Sequence, residues 1–288
     1  MEIAIISGKG GTGKSSISAA FATIGEKVVL ADCDVDAANL YLIFNPTHDE
    51  EQVYIAGYKA YINKDLCIEC KICMDYCKFD AISLVENKVE ISEVYCDGCK
   101  LCSRICPTQA ISMTANDKSR MYAGDFRNGK MVYGRLSPGE ENSGKLVNIV
   151  RDKAKQIAKQ NNIDTIIIDG PPGIGCAVIS SITGVDSVLI VTEPTISGLH
   201  DLVRTIEICS KFQMKTWVLI NKYDLNKDMS DEIERYCVES NIKIAGKIKF
   251  NSNFVNAMIL CKSIIEYMPY SEDSKQIIEI FNLIKNTE

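Results

Sequence analysis

The stretch "SGKGGTGKSS", Ser7 to Ser16, sets the reading of everything that follows it. Gly8 to Ser15 fits G-x-x-x-x-G-K-[ST]. Glu2–Ile6 before it is a short apolar run and Lys14–Thr23 reads as a helix, so the loop joins a strand to a helix, the context this motif requires. Glycines let backbone N–H groups wrap phosphates at a helix start, where the helix dipole also favours negative charge. The residues expected around a nucleotide are Gly8, Lys9, Gly10, Gly11, Thr12, Gly13, Lys14, Ser15 and Ser16. Lys14 should reach the β- and γ-phosphates, and Ser15 should ligate Mg2+. One lysine suffices for such a loop, yet Lys9 precedes the Gly10-Gly11 pair. Two neighbouring lysines repel each other unless extra negative charge sits between them.

Working outward, Lys27–Ala31 reads as a second strand, followed by Asp32, Asp34 and Asp36 in "VVLADCDVD". One of these acids is expected to orient the attacking water; Asp34 is preferred, and Asp36 reads as part of a solvated turn. "TIIIDGPPG" places Asp169 at the end of the apolar run Thr165–Ile168, where a Walker-B carboxylate stands near Mg2+. Gly170 and Gly173 are free to bend with nucleotide state. Ser187–Val191 and Thr216–Ile220 are further strands, with helical segments between. Strands alternating with helices predict an α/β fold: a mostly parallel P-loop sheet with helices on both faces. The connector Asp117–Val147 suggests a hairpin, then a helix from about Ser143 to Asn161; its "ENSGK" reads as a polar helix start or a nucleotide contact.

The chain has 288 residues, 46% apolar, with a formal charge of -6. That balance disfavours an electrostatic grip on nucleic acid or acidic lipid. No apolar run has the length of a membrane span and no signal peptide is read, so a cytoplasmic protein is expected. The tail "SEDSKQIIEIFNLIKNTE" is amphipathic but more acidic than basic, which favours a core-packing helix over a membrane anchor.

Thirteen cysteines, eight of them between Cys67 and Cys106, point to metal. "INKDLCIECKICMDYCKFDAIS" and "ISEVYCDGCKLCSRICPTQAIS" repeat with every cysteine shifted by 29 residues. This duplication reads as a separate α+β ferredoxin-like domain over 57–115, inserted into a nucleotide-binding domain of 1–56 and 116–288. C-x-x-C-x-x-C-x-x-x-C twice is the spacing of a bacterial ferredoxin with two clusters. Cys67, Cys70, Cys73 and Cys106 should hold one [4Fe-4S] cluster; Cys96, Cys99, Cys102 and Cys77 should hold the other. Zinc is the rival metal. Pro107 follows Cys106 as the pattern expects, whereas Lys78 follows Cys77.

"KGGTGKS", "DCDVDAANL" and "DGPPG" together resemble the MinD/Mrp family of deviant Walker-A ATPases, related to the nitrogenase iron protein and the arsenite-pump ATPase. The resemblance covers the chain outside the cysteine insert. It implies ATP with Mg2+, a Lys9 that crosses a dimer interface to the partner's nucleotide, and Asp34 in the water-activating switch position. The implied catalytic set is Lys9, Lys14, Asp34 and Asp169. In "VLINKYDL", Asn221 matches the family's base-contacting position. Asn-Lys-x-Asp also resembles the guanine motif of GTPases, with Asp224 on the base; adenine is preferred because the neighbouring motifs are those of ATPases. With its repeats the chain resembles Mrp/MinD-type ATPases carrying an inserted ferredoxin domain. It departs from the family's iron–sulfur carriers, which place a C-x-x-C pair near the C-terminus: here Cys209, Cys237 and Cys261 are isolated and are expected in the core. Cys176 has the offset from Asp169 of a cluster ligand in the nitrogenase iron protein; a buried residue starting a helix explains it equally simply.

Two functions compete. One is an ATPase whose nucleotide-dependent dimer switching is coupled to electron transfer through the clusters. The other is an ATP-dependent factor that assembles or delivers iron–sulfur clusters or a metallocofactor. A positioning role like that of MinD itself would leave the clusters unexplained. The expected partners are a similar subunit, in a homodimer or heterodimer, and a redox or client protein; neither nucleic acid nor membrane is expected.

Overall fold

The computed structural model describes residues 1–25, 27–140 and 143–286. In chain order its strands are β1 (Glu2–Ser7), β2 (Val28–Asp32), β3 (Glu50–Tyr54), β4 (Tyr58–Ile62), β5 (Ile82–Val85), β6 (Lys88–Ile91), β7 (Ile111–Ala115), β8 (Ser119–Phe126), β9 (Gly129–Arg135), β10 (Ile166–Pro172), β11 (Ser187–Thr192), β12 (Lys215–Asn221) and β13 (Lys243–Ile248). Two compact units result: Met1–Glu51 with Met121–Gly134 and Ser143–Glu288, and Gln52–Arg120 with Arg135–Asn142.

The first unit is built on a sheet of order β13-β12-β11-β1-β10-β2-β9-β8-β3. From β13 across to β9 every neighbouring pair is parallel. Its central strands, such as "EIAIIS" and "VVLAD", are continuous apolar runs because both of their faces are covered. Ile3 and Ile5 join a core with Phe21, Ile277 and Phe281, while Ala4 and Ile6, which point to the opposite face, are equally buried. Phe21 on the helix Lys14–Ile24 meets Phe281 on the helix Glu272–Lys285 edge to face, ring centroids 5.1 Å apart. The amphipathic tail is thus a core-packing helix, with Ile277, Ile280, Phe281 and Ile284 buried; Thr287 and Glu288 lie outside the described residues. The helix Ser143–Asn161 forms where the sequence places it; of "ENSGK", Glu141 and Asn142 lie outside the described residues.

Three differences from the sequence reading stand out. β10 runs on to Pro172, carrying Asp169 within the strand. β13 is absent from the reading, because its "KIAGKI" is mostly half-buried and interrupted by Lys243, Gly246 and Lys247. The connector's two strands, β8 and β9, belong to the main sheet, β9 lying parallel to β2 from Val28↔Gly129 to Asp32↔Tyr133.

The second unit carries two antiparallel pairs, β4 with β7 and β5 with β6. The 29-residue repeat is also a backbone repeat. Left-handed residues recur in register at Glu69 and Gly98, Lys71 and Lys100, and Asp80 and Gln109. Short helices, Ile72–Asp75 and Leu101–Ile105, follow each lysine. A small core of Ala60, Ile62, Ala81, Ile82, Val89 and Ile111 includes Cys73 and Cys96.

Candidate functional site

β1 ends at Ser7 and the helix begins at Lys14, so the glycine loop hangs over the carboxyl ends of the parallel strands, where open α/β sheets place their ligands. The turn needs left-handed backbone at Gly11 (φ 83°) and Gly13 (φ 93°). At Gly13 a Cβ would also stand 2.3 Å from Asn221 Nδ2. Lys14 is 6% exposed, and its ammonium is 2.9 Å from Asp169 Oδ2 and 3.7 Å from Asp34 Oδ2. Burial pulls the Lys14 pKa down, but the charges of Asp169 and Asp34 outweigh it and leave it raised. Asp169, fully buried, accepts from Ser15 Oγ at 2.9 Å and from Ser18 Oγ at 2.6 Å. Ser15 and Asp169 thus stand together, as the expected Mg2+ position demands; Ser18 is a partner of Asp169 that the motif does not reveal.

The three acids after β2 separate by environment. Asp32 is fully buried and accepts from the backbone N–H groups of Asp34, Asn39 and Leu40, so it shapes the turn and is not free to orient water. Burial, then the charge of Asp169, pushes its carboxyl up to about 7. Asp34 lines the cleft beside Lys14; its pKa is raised by burial, which the Lys14 charge only partly opposes. Asp36 is exposed, in keeping with a solvated turn.

Lys9 lies against its own chain. Its ammonium is 2.8 Å from Glu193 Oε1 and donates to Thr195 Oγ1 and Ser197 Oγ, both at 3.0 Å. Glu193 also takes Lys222 at 2.9 Å, and Lys222 Nζ donates to the Gly11 carbonyl at 2.8 Å. Burial raises the Glu193 pKa, but the two lysines overcome this and hold it below its usual value. Glu193, Thr195 and Ser197 form a contact that no sequence motif announces. Asn221, at the end of β12, donates from Nδ2 to Thr12 O at 2.8 Å, tying that strand to the glycine loop. Asp224 accepts from Phe250 N at 2.7 Å, so it braces the loop after β13.

A cleft of about 340 Å³ opens over the loop, bounded by Gly10 to Ser16, Asp34, Asn39 and Asn221, and on its far side by Lys249, Phe250 and Phe254. That far wall was invisible in the sequence, since its residues belong to no motif. Thr12 Oγ1 and Asn39 Oδ1 are buried without a hydrogen-bond partner, as expected of groups awaiting a polar ligand.

In the second unit the repeat cysteines gather in two recesses. Cys67, Cys70, Cys73 and Cys106 line one; Cys77, Cys96, Cys99 and Cys102 line the other, with Cys73 between them. Each set therefore contains three cysteines of one repeat and the fourth of the other. Ala60 N donates to Cys96 Sγ at 3.5 Å and Ala110 N to Cys106 Sγ at 3.3 Å. Burial and the neighbouring Cys96 push the Cys102 thiol up to about 11; for Cys106 burial is outweighed by hydrogen bonds from Thr108, Ala110 and Ile111, and its pKa is lowered. Among the described residues no three His, Cys, Asp or Glu side chains converge on a single metal ion.

The isolated cysteines divide. Cys209 and Cys237 are buried as expected, but Cys261 is exposed, in a left-handed turn after the helix Asn253–Ile259, so its core placement is corrected. Cys176 does begin a helix, Cys176–Ile182, but is exposed, which removes burial as the account of it.

A glycine loop between strand and helix, its lysine set on a buried aspartate of β10 in a parallel sheet, defines a P-loop nucleotide-binding protein. More narrowly, the chain belongs to the CobQ/CobB/MinD/ParA nucleotide-binding domain family, CbiA, whose model matches residues 3–260. The uncharacterized protein MJ0578 of Methanocaldococcus jannaschii is 36% identical over 99% of this chain and 96% of its own length. A second protein of that organism, MJ0579, is 30% identical over 78% of this chain and 81% of its own length. Among solved structures, the septum site-determining protein MinD of Pyrococcus horikoshii, complexed with Mg-ADP, superposes with a TM-score of 0.58 at 18% identity, covering 99% of this chain and 96% of its own. A ParA family ATPase from Chlorobium tepidum gives 0.59 at 17% identity, covering 99% of both chains. The fold is that of the MinD/ParA ATPases. No helix among the described residues is long and apolar enough to cross a membrane. Neither the family model nor these relatives is described in terms of iron–sulfur clusters or a ferredoxin domain, so the cysteine repeats rest on their own geometry.

Proposed function

We propose that this chain binds and hydrolyses ATP with Mg2+, and that nucleotide-dependent dimer switching is coupled to electron transfer through two [4Fe-4S] clusters to a partner protein. The observation that carries the reading is the gathering of the eight repeat cysteines in two recesses, Cys73 lining both, with Cys77 and Cys106 each in the recess of the other repeat. The ferredoxin spacing asks for that exchange. Such clusters supply one-electron chemistry at low potential.

In the nucleotide unit, Lys14 is poised to transfer its ammonium from Asp169 to the phosphates, leaving Asp169 with Ser15 for Mg2+. The Mg-ADP held by the Pyrococcus MinD supports a magnesium nucleotide in this cleft. The orphaned Thr12 hydroxyl and the backbone N–H groups of the glycine loop supply further phosphate contacts. Asp34 stands beside Lys14 at the cleft wall, where it can hold the attacking water. Asp224 is occupied by Phe250 N, which favours adenine over the guanine reading. Lys9 is the group proposed to leave Glu193 and reach the partner's nucleotide.

The test is anaerobic reconstitution, reduction with dithionite and addition of ATP alongside a soluble electron acceptor. Cluster reoxidation that ATP accelerates while iron stays bound supports the relay. Iron and sulfide leaving the protein would support delivery instead. Stoichiometric zinc with no iron uptake would remove the cluster reading.

A further inference from the structure

A duplicated ferredoxin unit would be expected to hold two near-equal clusters, since each loop carries the same exposed charges. Glu69 and Lys71 lie in "CIECKIC", and Asp97 and Lys100 in "CDGCKLC". Exposed charges of this kind are screened by water and salt. Among the described residues of this unit, one charged side chain is buried. Lys59 is 8% exposed, and its ammonium donates to Cys96 O at 2.7 Å and to Gly139 O at 2.8 Å. Its equivalent one repeat later, 29 residues on, is Lys88, which is exposed. The difference has a cause in the chain: Gly139 belongs to Arg135–Asn142, a segment of this unit outside the duplication. Both acceptors of Lys59 are neutral carbonyls, one of them that of the cysteine Cys96 itself, so neither cancels its charge. Asp97 and Glu140 line the opening near Lys59 and offset part of its field, but they stand nearer to water. The symmetric pieces are matched: Ala60 beside Cys96 corresponds to Val89 beside Cys67.

Resting on the proposed cluster reading, we infer that the two clusters differ in potential, the one held by Cys77, Cys96, Cys99 and Cys102 being easier to reduce because Lys59 buries a positive charge against it. Taking up an electron makes a cluster more negative, and a fixed, buried cation held on the carbonyl of one of its cysteines favours that state. Lys59 is a positioning residue in this scheme: it tunes a ligand's surroundings and does not bind the cluster.

The experiment is a dithionite titration of the reconstituted full chain, followed by electron paramagnetic resonance after iron counting. About eight irons per chain establishes the two clusters on which the inference rests; a lower count in the wild type that never rises would sink both readings together. With full iron, two separated one-electron steps are expected. Lys59→Met should lower the reduced-to-oxidised ratio of the higher-potential cluster about tenfold at a fixed potential, a shift of about 59 mV. Lys59→Arg should keep the step in place, and Lys88→Met should leave both steps unmoved. Cys99→Ser assigns the step, since it perturbs the Cys96 recess alone. If Lys59→Met loses iron, Lys59→Gln, which retains a hydrogen-bond donor, carries the comparison. Full iron with a single wild-type step, or two steps that neither neutral variant moves, would overturn the inference while leaving the cluster reading intact.

Discussion

Lys9 Nζ stands 2.8 Å from Glu193 Oε1, so the extra lysine of the glycine loop is held by an acid of its own chain. The same carboxylate holds Lys222, whose ammonium also grips the Gly11 carbonyl. Releasing Lys9 toward a second subunit must therefore break a contact that also steadies the loop. Glu193→Gln should lower the ATP concentration needed for dimerisation several-fold, and Lys9→Ala should abolish ATP-dependent dimerisation while sparing most nucleotide binding. Sizing with a slowly hydrolysed ATP analogue checks both; an unchanged dimer in the Lys9 variant would show that this lysine does not cross the interface.

Lys14 answers two carboxylates from a nearly dry position. Removing one partner of a buried pair leaves the other charge uncompensated, at a typical cost of about 3 kcal/mol. Lys14→Met should thus lose nucleotide binding and also destabilise the nucleotide-free protein by roughly that amount. Denaturant melts read the second effect independently of the first.

Asp32 gives the pH dependence its sign. Its pKa rises on folding from 3.8 to about 7, so between those values the folded chain holds a proton that the unfolded chain has lost. Stability from this group should fall as pH rises from about 4 to about 7 and change little above. Glu193 acts in the opposite direction: its lowered pKa gives stability that is present above its ordinary 4.5 and lost as pH falls through the depressed value. Asp32→Asn should flatten the pH 4–7 window, while lowering stability overall by about 1–3 kcal/mol because one amide N–H₂ must face a backbone donor. A melting series in which the variant keeps the wild-type slope would refute the assignment.

The exchange of Cys77 and Cys106 predicts a pattern of iron loss. Cys67→Ser with Cys70→Ser should leave about four irons, those of the other recess. Cys67→Ser with Cys77→Ser removes one ligand from each recess and should damage both clusters. Iron and sulfide assays on anaerobic protein distinguish this from a unit in which each repeat serves itself, where both pairs would empty the first repeat and leave about four irons.

The glycine loop and the apolar runs were legible because they obey local rules: Gly11 and Gly13 need left-handed backbone, and doubly covered strands cannot alternate. The cysteine sets were legible because the spacing limits which sulfurs can meet. Glu193 and Ser18 were not, because what makes them important is distance across the fold: Glu193 is far from Lys9 in sequence, and Ser18 meets Asp169 only when helix and strand are packed. β13 was lost to its lysines, one of which, Lys247, pairs with Glu234 outside the sheet. Cys261 was misplaced because residue type was used in place of environment; it sits in a turn whose carbonyl accepts from Arg127.

Each cysteine recess borrows one wall from the other repeat, and Lys59 is secured by Gly139, well beyond both. On the ribosome, therefore, a nascent chain ending before Cys96 owns no complete set, and one ending just before Cys106 owns three sulfurs of one set and all four of the other. Completion waits further for Gly139, whose carbonyl anchors the lysine beside Cys96. Neither set is complete within the first repeat, so on the proposed cluster reading loading cannot proceed one repeat at a time and follows the order in which residues emerge.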